Sequence, residues 1–169
     1  MTQQGDRVKG GYPMKALIVI DMQEEYVGQK RNQNRYPYDS EQLIKNINSR
    51  IATYEQRTNA VIYIKNKGKS DRVSDLVAEM LLVSDLVYEK SKASCFSDQS
   101  LLIYLMDKSI NEIELVGVDG NSCIGFSALD GIKHSFSILV SLSCIGIANA
   151  ERFTATREKL LKTNVTIID

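Results

Sequence analysis

Tryptophan is absent from this 169-residue chain, histidine occurs once, and cysteine occurs three times. Without tryptophan there is no indole platform for an aromatic ligand. The single histidine, His134, excludes a multi-histidine metal site and leaves a Cys-His dyad one candidate at most. Cys95, Cys123 and Cys144 are odd in number and widely spaced, which does not look like a disulfide framework, and no Cys-x-x-Cys pair suggests zinc. Net charge is lacking too: 21 basic residues balance 21 acidic ones, so no overall field recruits nucleic acid or an anionic membrane. Long apolar runs are missing. The most apolar stretch, residues 136–150, carries three serines and Asn149 and is too short and too polar to span a bilayer. No motif repeats at a fixed period, and residues 1–11 contain no apolar core like that of a secretory signal, so a cytoplasmic location is expected.

At 43% hydrophobic residues, the chain is long enough for one core and too short for two comfortable domains. Residues 1–13 are polar and glycine-rich and read as a loose extension ahead of a single domain over 14–169. Within that domain short apolar runs, rich in β-branched or aromatic residues, alternate with helical periodicity. Strands are expected at 15–20, 60–64, 86–88, 113–118, 136–140 and 165–168. A helix beginning near Ser40 shows Leu43, Ile44, Ile47 and Ile51 on one face, after a long polar connection over 28–39. A second is expected over 74–82. A third follows the capping run Ser97-Asp98-Gln99-Ser100, with Leu101, Leu102, Leu105 and Met106 on one face. Two more are expected over 123–132 and 151–162. The alternation implies a three-layer α/β/α domain around a six-stranded parallel sheet, with strand order 3-2-1-4-5-6. No Gly-x-Gly-x-x-Gly follows the first strand, which disfavours a dinucleotide binder.

In such sheets chemistry gathers outside the carboxyl ends of the strands. Asp21 stands where the first apolar run stops, Lys90 where the third strand stops, and Cys123 just past the fourth. A carboxylate, an amine and a thiol there offer a base, an electrostatic stabiliser and a nucleophile. The turn Asp119-Gly120-Asn121-Ser122 delivers Cys123 to a helix start, where free N–H groups would favour a thiolate and bind an oxyanion. Competing readings are a buried structural cysteine, an aspartate that caps the following helix, and a lysine on its way to solvent, with Lys92 as a rival to Lys90. Cys95 and Cys144 have no comparable placement. His134, in the turn between a helix and the fifth strand, is expected at the opposite end of the sheet in a surface role.

Three segments carry a family resemblance. Asp21-Met22-Gln23-Glu24-Glu25-Tyr26, Lys90-Ser91-Lys92-Ala93-Ser94-Cys95-Phe96 and Val116-Gly117-Val118-Asp119-Gly120-Asn121-Ser122-Cys123-Ile124 resemble the three motifs of the isochorismatase-like cysteine hydrolases, in order and near the usual spacing. That superfamily includes nicotinamidases and related amidases. The resemblance covers residue 14 to the C-terminus, and the six-residue spacing to Phe96 selects Lys90 over Lys92. It implies hydrolysis of a small amide C–N bond through a thioester, with Asp21 as base and acid, Lys90 as stabiliser and Cys123 as nucleophile. It further implies oxyanion-binding N–H groups at Ser122 and Cys123, a cis peptide between Val118 and Asp119, Tyr26 and Phe96 lining the pocket, and Gln23 in a supporting position. A homo-oligomer acting on a small molecule is the family expectation. Metal-binding nicotinamidases carry Asp-x-His and a further histidine after the second strand, whereas residues 65–75 here hold Asp71 and Asp75 but no histidine. No metal or other cofactor is therefore expected. The alternatives on the same scaffold are vinyl-ether hydrolysis, as in true isochorismatases, and a non-catalytic ligand- or partner-binding domain.

Overall fold

The computed structural model describes residues 14–69 and 71–169, so the proposed extension over 1–13 lies outside the described residues. Six strands, β1 (Lys15–Ile20), β2 (Ala60–Asn66), β3 (Val87–Lys90), β4 (Glu112–Val118), β5 (Ser137–Gly146) and β6 (Thr166–Ile168), form one sheet in the order β3-β2-β1-β4-β5-β6. Every pairing is parallel. The helices are a single turn, α1 (Glu24–Val27), then α2 (Ser40–Gln56), α3 (Gln99–Asp107), α4 (Gly125–Lys133) and α5 (Ala150–Leu161).

The unbroken apolar run of β1 follows from its place in the middle of this sheet. Ala16, Ile18 and Ile20 face a core filled from α3, α4 and α5 by Leu101, Leu105, Ala128, Phe153 and Leu160. Leu17 and Val19 face the other side, against Leu43, Ile47, Ile51 and Tyr54 of α2. A strand covered on both faces has no polar side to alternate with. Asp39, Asp98 and Asn149 cap α2, α3 and α5 by accepting an N–H from the first turn.

Two expectations about the elements need correction. The segment 74–82 is not a helix, although Val77 and Met80 are buried against α2 as its apolar pattern requires. Distant side chains take its backbone groups instead. Asn48 bonds the Glu79 carbonyl and the Leu81 N–H, each at 2.8 Å, and the Tyr63 hydroxyl donates to the Leu81 carbonyl at 2.7 Å and accepts from the Val83 N–H at 3.1 Å. Tertiary partners thus replace the helical ladder. The fifth strand also runs on past Val140 to Gly146, because Ser141 and Cys144 are buried inside it.

Glu114, the one charge within the apolar run of β4, is 1% exposed. Arg50 bonds both of its carboxylate oxygens, and the Tyr54 hydroxyl donates to it at 2.9 Å. A buried carboxylate satisfied in this way fixes α2 to the sheet.

Gly117 controls how closely β1 and β4 approach just below the site. Its φ is +117°, and a Cβ built there would lie 2.0 Å from the Ile20 carbonyl oxygen. Gly117→Ala is expected to destabilise the protein by about 3 kcal/mol or more, through backbone strain together with overpacking. Urea unfolding measures this, and a loss under about 1 kcal/mol would mean that the contact relaxes freely.

Candidate active site

Asp21 is the first residue beyond β1, and its backbone turns sharply there, with φ at +55°. Aspartate tolerates this left-handed conformation better than most residues. The Asp21 N–H donates to the Ile64 carbonyl of β2 at 2.9 Å, which ties the turn to the sheet. Lys90 closes β3 at the sheet edge, in register with Asn66 of β2, so its side chain reaches inward across β2. Its ammonium lies 3.0 Å from Asp21 Oδ2 and 3.1 Å from Cys123 Sγ, and it donates to the Lys92 carbonyl at 3.2 Å. The three N–H donors of an ammonium are thereby matched by three acceptors. Both charged side chains are almost wholly buried, at 1% and 3% exposure. Asp21 Oδ1 is buried with no hydrogen-bond partner among the described residues.

Burial raises the Asp21 carboxyl above the ordinary carboxylate value, and the Lys90 charge opposes that rise. For Lys90 burial works downward, but the charges of Asp21 and Cys123 outweigh it and the ammonium is held more firmly than usual. The Cys123 thiol is pushed up to about 11 by burial and then by the Asp21 charge, with Lys90 pulling the other way. This reverses the expectation of a thiol acidified by a helix start. Cys123 sits within a wide π-helical turn, Gly120–Ile124, that precedes α4, and burial beside a carboxylate dominates there. The thiol is therefore protonated at neutral pH.

The peptide between Val118 and Asp119 is cis. Beyond it, the N–H groups of Ser122 and Ile124 both donate to the Asp119 carbonyl at 3.1 Å. The Ser122 N–H, expected to bind an oxyanion, is therefore already engaged within the turn. The Asp119 carboxylate accepts from the N–H groups of Asn121 and Ala148, and the Asn121 amide donates to the Asn149 carbonyl at 2.8 Å. These bonds anchor the turn to the start of α5.

Gln23 is completely buried and works as a clamp: Oε1 accepts from the Asn66 N–H at 2.6 Å and Nε2 donates to the Ser74 carbonyl at 2.9 Å. Tyr26 is half-buried, with its hydroxyl 3.0 Å from Asn66 Nδ2 and its ring edge-on to Tyr36 at 5.5 Å. Phe96 is buried. It stacks on Phe136 at 5.4 Å and lies against Gly131, far along α4, so it packs the core. His134 is exposed beside the same rings.

Sequence reasoning missed the aromatic cluster that Tyr36 and Tyr38 of the 28–39 connection form with Tyr26. Arg31 donates to the carbonyls of Gly28, Tyr36 and Tyr38, gathering this segment on one guanidinium. The Tyr38 hydroxyl donates to the Tyr26 carbonyl at 3.0 Å, and the Arg35 guanidinium lies over the Tyr36 ring at 5.4 Å. The available signal was tyrosine in an otherwise polar connection. Asn66 was missed because the expected strand stopped at Ile64.

The residues after β2 do not fit a nicotinamidase-type metal. Asp75 is exposed and paired with Lys65 at 3.3 Å, and Asp71 is exposed. Among the described residues no group of three or more His, Cys, Asp or Glu is placed to hold a metal ion, and no helix is long and apolar enough to cross a membrane.

A parallel α/β/α sheet with carboxylate, ammonium and thiol gathered at its carboxyl edge defines the class. The family model of the isochorismatase domain matches residues 15–169, and the chain belongs to that family. A curated relative, the uncharacterized isochorismatase family protein YaaI of Bacillus subtilis (strain 168), is 28% identical over 83 residues, which is 48% of this chain and 46% of that protein. The match thus spans about half the length of that relative. An isochorismatase-like hydrolase from Alkaliphilus metalliredigens superposes with a TM-score of 0.80 at 20% identity, covering 94% of this chain and 95% of that one. N-carbamoylsarcosine amidase from Thermoplasma acidophilum superposes with a TM-score of 0.74 at 19% identity, covering 92% and 95%. These two likenesses are of fold.

The three cysteines differ in access, which gives a direct expectation. Cys123 is half-buried, while Cys95 and Cys144 are 0% and 2% exposed. Iodoacetamide on the native protein should label Cys123 at least about tenfold faster than the others, with a rate that keeps rising with pH toward 11. Peptide mass spectrometry reads both outcomes, and equal labelling of Cys95 or Cys144 would contradict the placement.

Proposed function

We propose that this protein is a hydrolase that cleaves a small amide C–N bond through a thioester on Cys123. The observation that carries this reading is the single ammonium of Lys90, which lies within 3.1 Å of both the Asp21 carboxylate and the Cys123 sulfur. Because the thiol rests protonated, its proton must leave as sulfur attacks the carbonyl carbon. Asp21 is the acceptor: its Oδ1, without a hydrogen-bond partner among the described residues, has a free lone pair, and its raised pKa brings its basicity closer to the task. Lys90 stays charged and holds the sulfur as negative charge develops. The Cys123 N–H faces the developing oxyanion, with the Ser122 N–H shared between the oxyanion and the Asp119 carbonyl. Asp21 then returns the proton to the leaving nitrogen, so the amine departs neutral. Water, deprotonated by the same carboxylate, cleaves the thioester to the acid and restores the thiol. An amidase shares this fold, and the intact thiol favours acyl transfer over vinyl-ether cleavage.

A panel of small primary amides, assayed for ammonia release with wild type and Cys123→Ala side by side, tests the proposal. At least one amide should be turned over by wild type alone. Equal release by both proteins would refute it.

A further inference from the structure

The Tyr26 hydroxyl is a half-buried phenol that is held in place by a neighbouring amide while its own proton goes to no acceptor among the described residues. Tyr38 donates to the Tyr26 carbonyl, Tyr54 to Glu114 and Tyr63 to the Leu81 carbonyl. Tyr26 instead accepts, from Asn66 Nδ2 at 3.0 Å. The direction of that bond is fixed by the other end of the amide: Asn66 Oδ1 takes the Gly68 N–H at 3.1 Å, so the NH2 group must face the phenol. The backbone of Asn66 is itself held by Gln23 Oε1 at 2.6 Å. Among the described residues no acceptor receives the phenol proton. The site of this unused donor is also defined. Asn66 ends β2 between the strand ends that carry Asp21 and Lys90 and is in register with Lys90, while the Tyr26 ring packs edge-on against Tyr36.

We propose that Tyr26, oriented by Asn66, is a specificity-determining residue that donates its phenol proton to a hydrogen-bond acceptor on the substrate, so the preferred amide carries a second acceptor such as a ketone oxygen or ring nitrogen. This rests on the amidase reading for the identity of the ligand as an amide, but not for its turnover. The phenol remains protonated throughout the working pH range, because burial and then the charge of Glu25 push it up to about 12. A site built to donate to a substrate group discriminates against the isostere that lacks it, since the donor, once covered by the ligand, is then left unpaired. Asn66 is a positioning residue here. It contributes by pointing the phenol, and a carboxylate at the same position would draw the phenol proton to itself.

The test measures binding by calorimetry to the full-length Cys123→Ser protein, so it is independent of turnover. The probes are two near-isosteric pairs: pyridine-3-carboxamide with benzamide, and acetoacetamide with butanamide. The acceptor-bearing member of at least one pair should bind about tenfold tighter. Adding Tyr26→Phe should erase that difference while leaving the affinity of the weaker member unchanged, and Asn66→Asp should do the same. A merely structural role would weaken both members together. A difference that survives Tyr26→Phe, a parallel loss in both members, or no preference in either pair overturns the proposal. Ammonia release that depends on Cys123 would in each case still support the amidase reading, so the two fail separately.

Discussion

Cys123→Ser is expected to lower amide turnover by about a thousandfold or more, equivalent to about 4 kcal/mol of transition-state stabilisation, while the fold is retained. Serine is nearly isosteric, and the surrounding turn is held by Asp119 and Asn121 rather than by the thiol. The loss is chemical. Even the thiol is pushed up to about 11 in this site, by burial and by Asp21, and an alkoxide in the same surroundings is far harder to generate. In the proposed mechanism the buried Asp21 carboxylate, raised above its ordinary value by burial, is base enough for a thiol but not for a hydroxyl. Single-turnover kinetics with circular dichroism as the folding control separates lost chemistry from lost structure. Near-native turnover in the serine variant would remove the thioester from the mechanism.

Lys90→Met is the second large effect, with an expected loss of about a hundredfold in kcat/KM and a displaced pH profile. In the wild type, burial raises the Asp21 carboxyl and Lys90 restrains that rise, so deleting the ammonium lets the carboxyl climb further. In the proposed mechanism ionised Asp21 is the proton acceptor, and the acidic limb of the kcat/KM profile should therefore move to higher pH. Stability follows the same linkage. A carboxyl whose folded pKa lies above its unfolded value favours folding at low pH and loses that contribution as pH rises from about 3.8 through the folded value. For Lys90, raised in the folded state, the contribution is complete below the ordinary lysine value of 10.5 and is lost as pH climbs through the folded value. Removing the ammonium leaves a buried carboxylate without its counter-charge, a loss of about 3–5 kcal/mol at neutral pH. That deficit should shrink on acidification as Asp21 takes up a proton. An acidic limb that stays in place in the variant would show that Lys90 does not act on Asp21.

Much of this architecture is legible in the amino-acid order because the sheet imposes simple demands. Ala16 to Ile20 are apolar without alternation, which places β1 between two covered faces, and its carboxyl end then had to lead into the site region at Asp21. Lys90 and Cys123 follow from the same reasoning at the ends of β3 and β4. The segment 74–82 was opaque for the opposite reason. Its pattern fits a helix, and only Asn48 and Tyr63, distant in sequence, supply the bonds that hold it otherwise. The state of the Cys123 thiol was equally hidden, since a helix start suggests acidification while burial beside Asp21 is a property of the assembled site. Phe96 carries the motif spacing that selects Lys90, yet its ring belongs to the core with Phe136, and no local feature distinguishes the two roles. Arg31 illustrates a further limit: one guanidinium organising three carbonyls leaves no periodicity to read.

In the proposed mechanism Cys123 carries the acyl group during turnover. Intact-protein mass spectrometry after acid quench, during turnover of an amide taken from the ammonia-release panel, tests it most directly. The expected result is an adduct equal in mass to the amide minus ammonia, located on the Cys123 peptide and absent from Cys123→Ala. Sustained ammonia release with Cys123 unmodified at every quench time, and undiminished in Cys123→Ala, would contradict it.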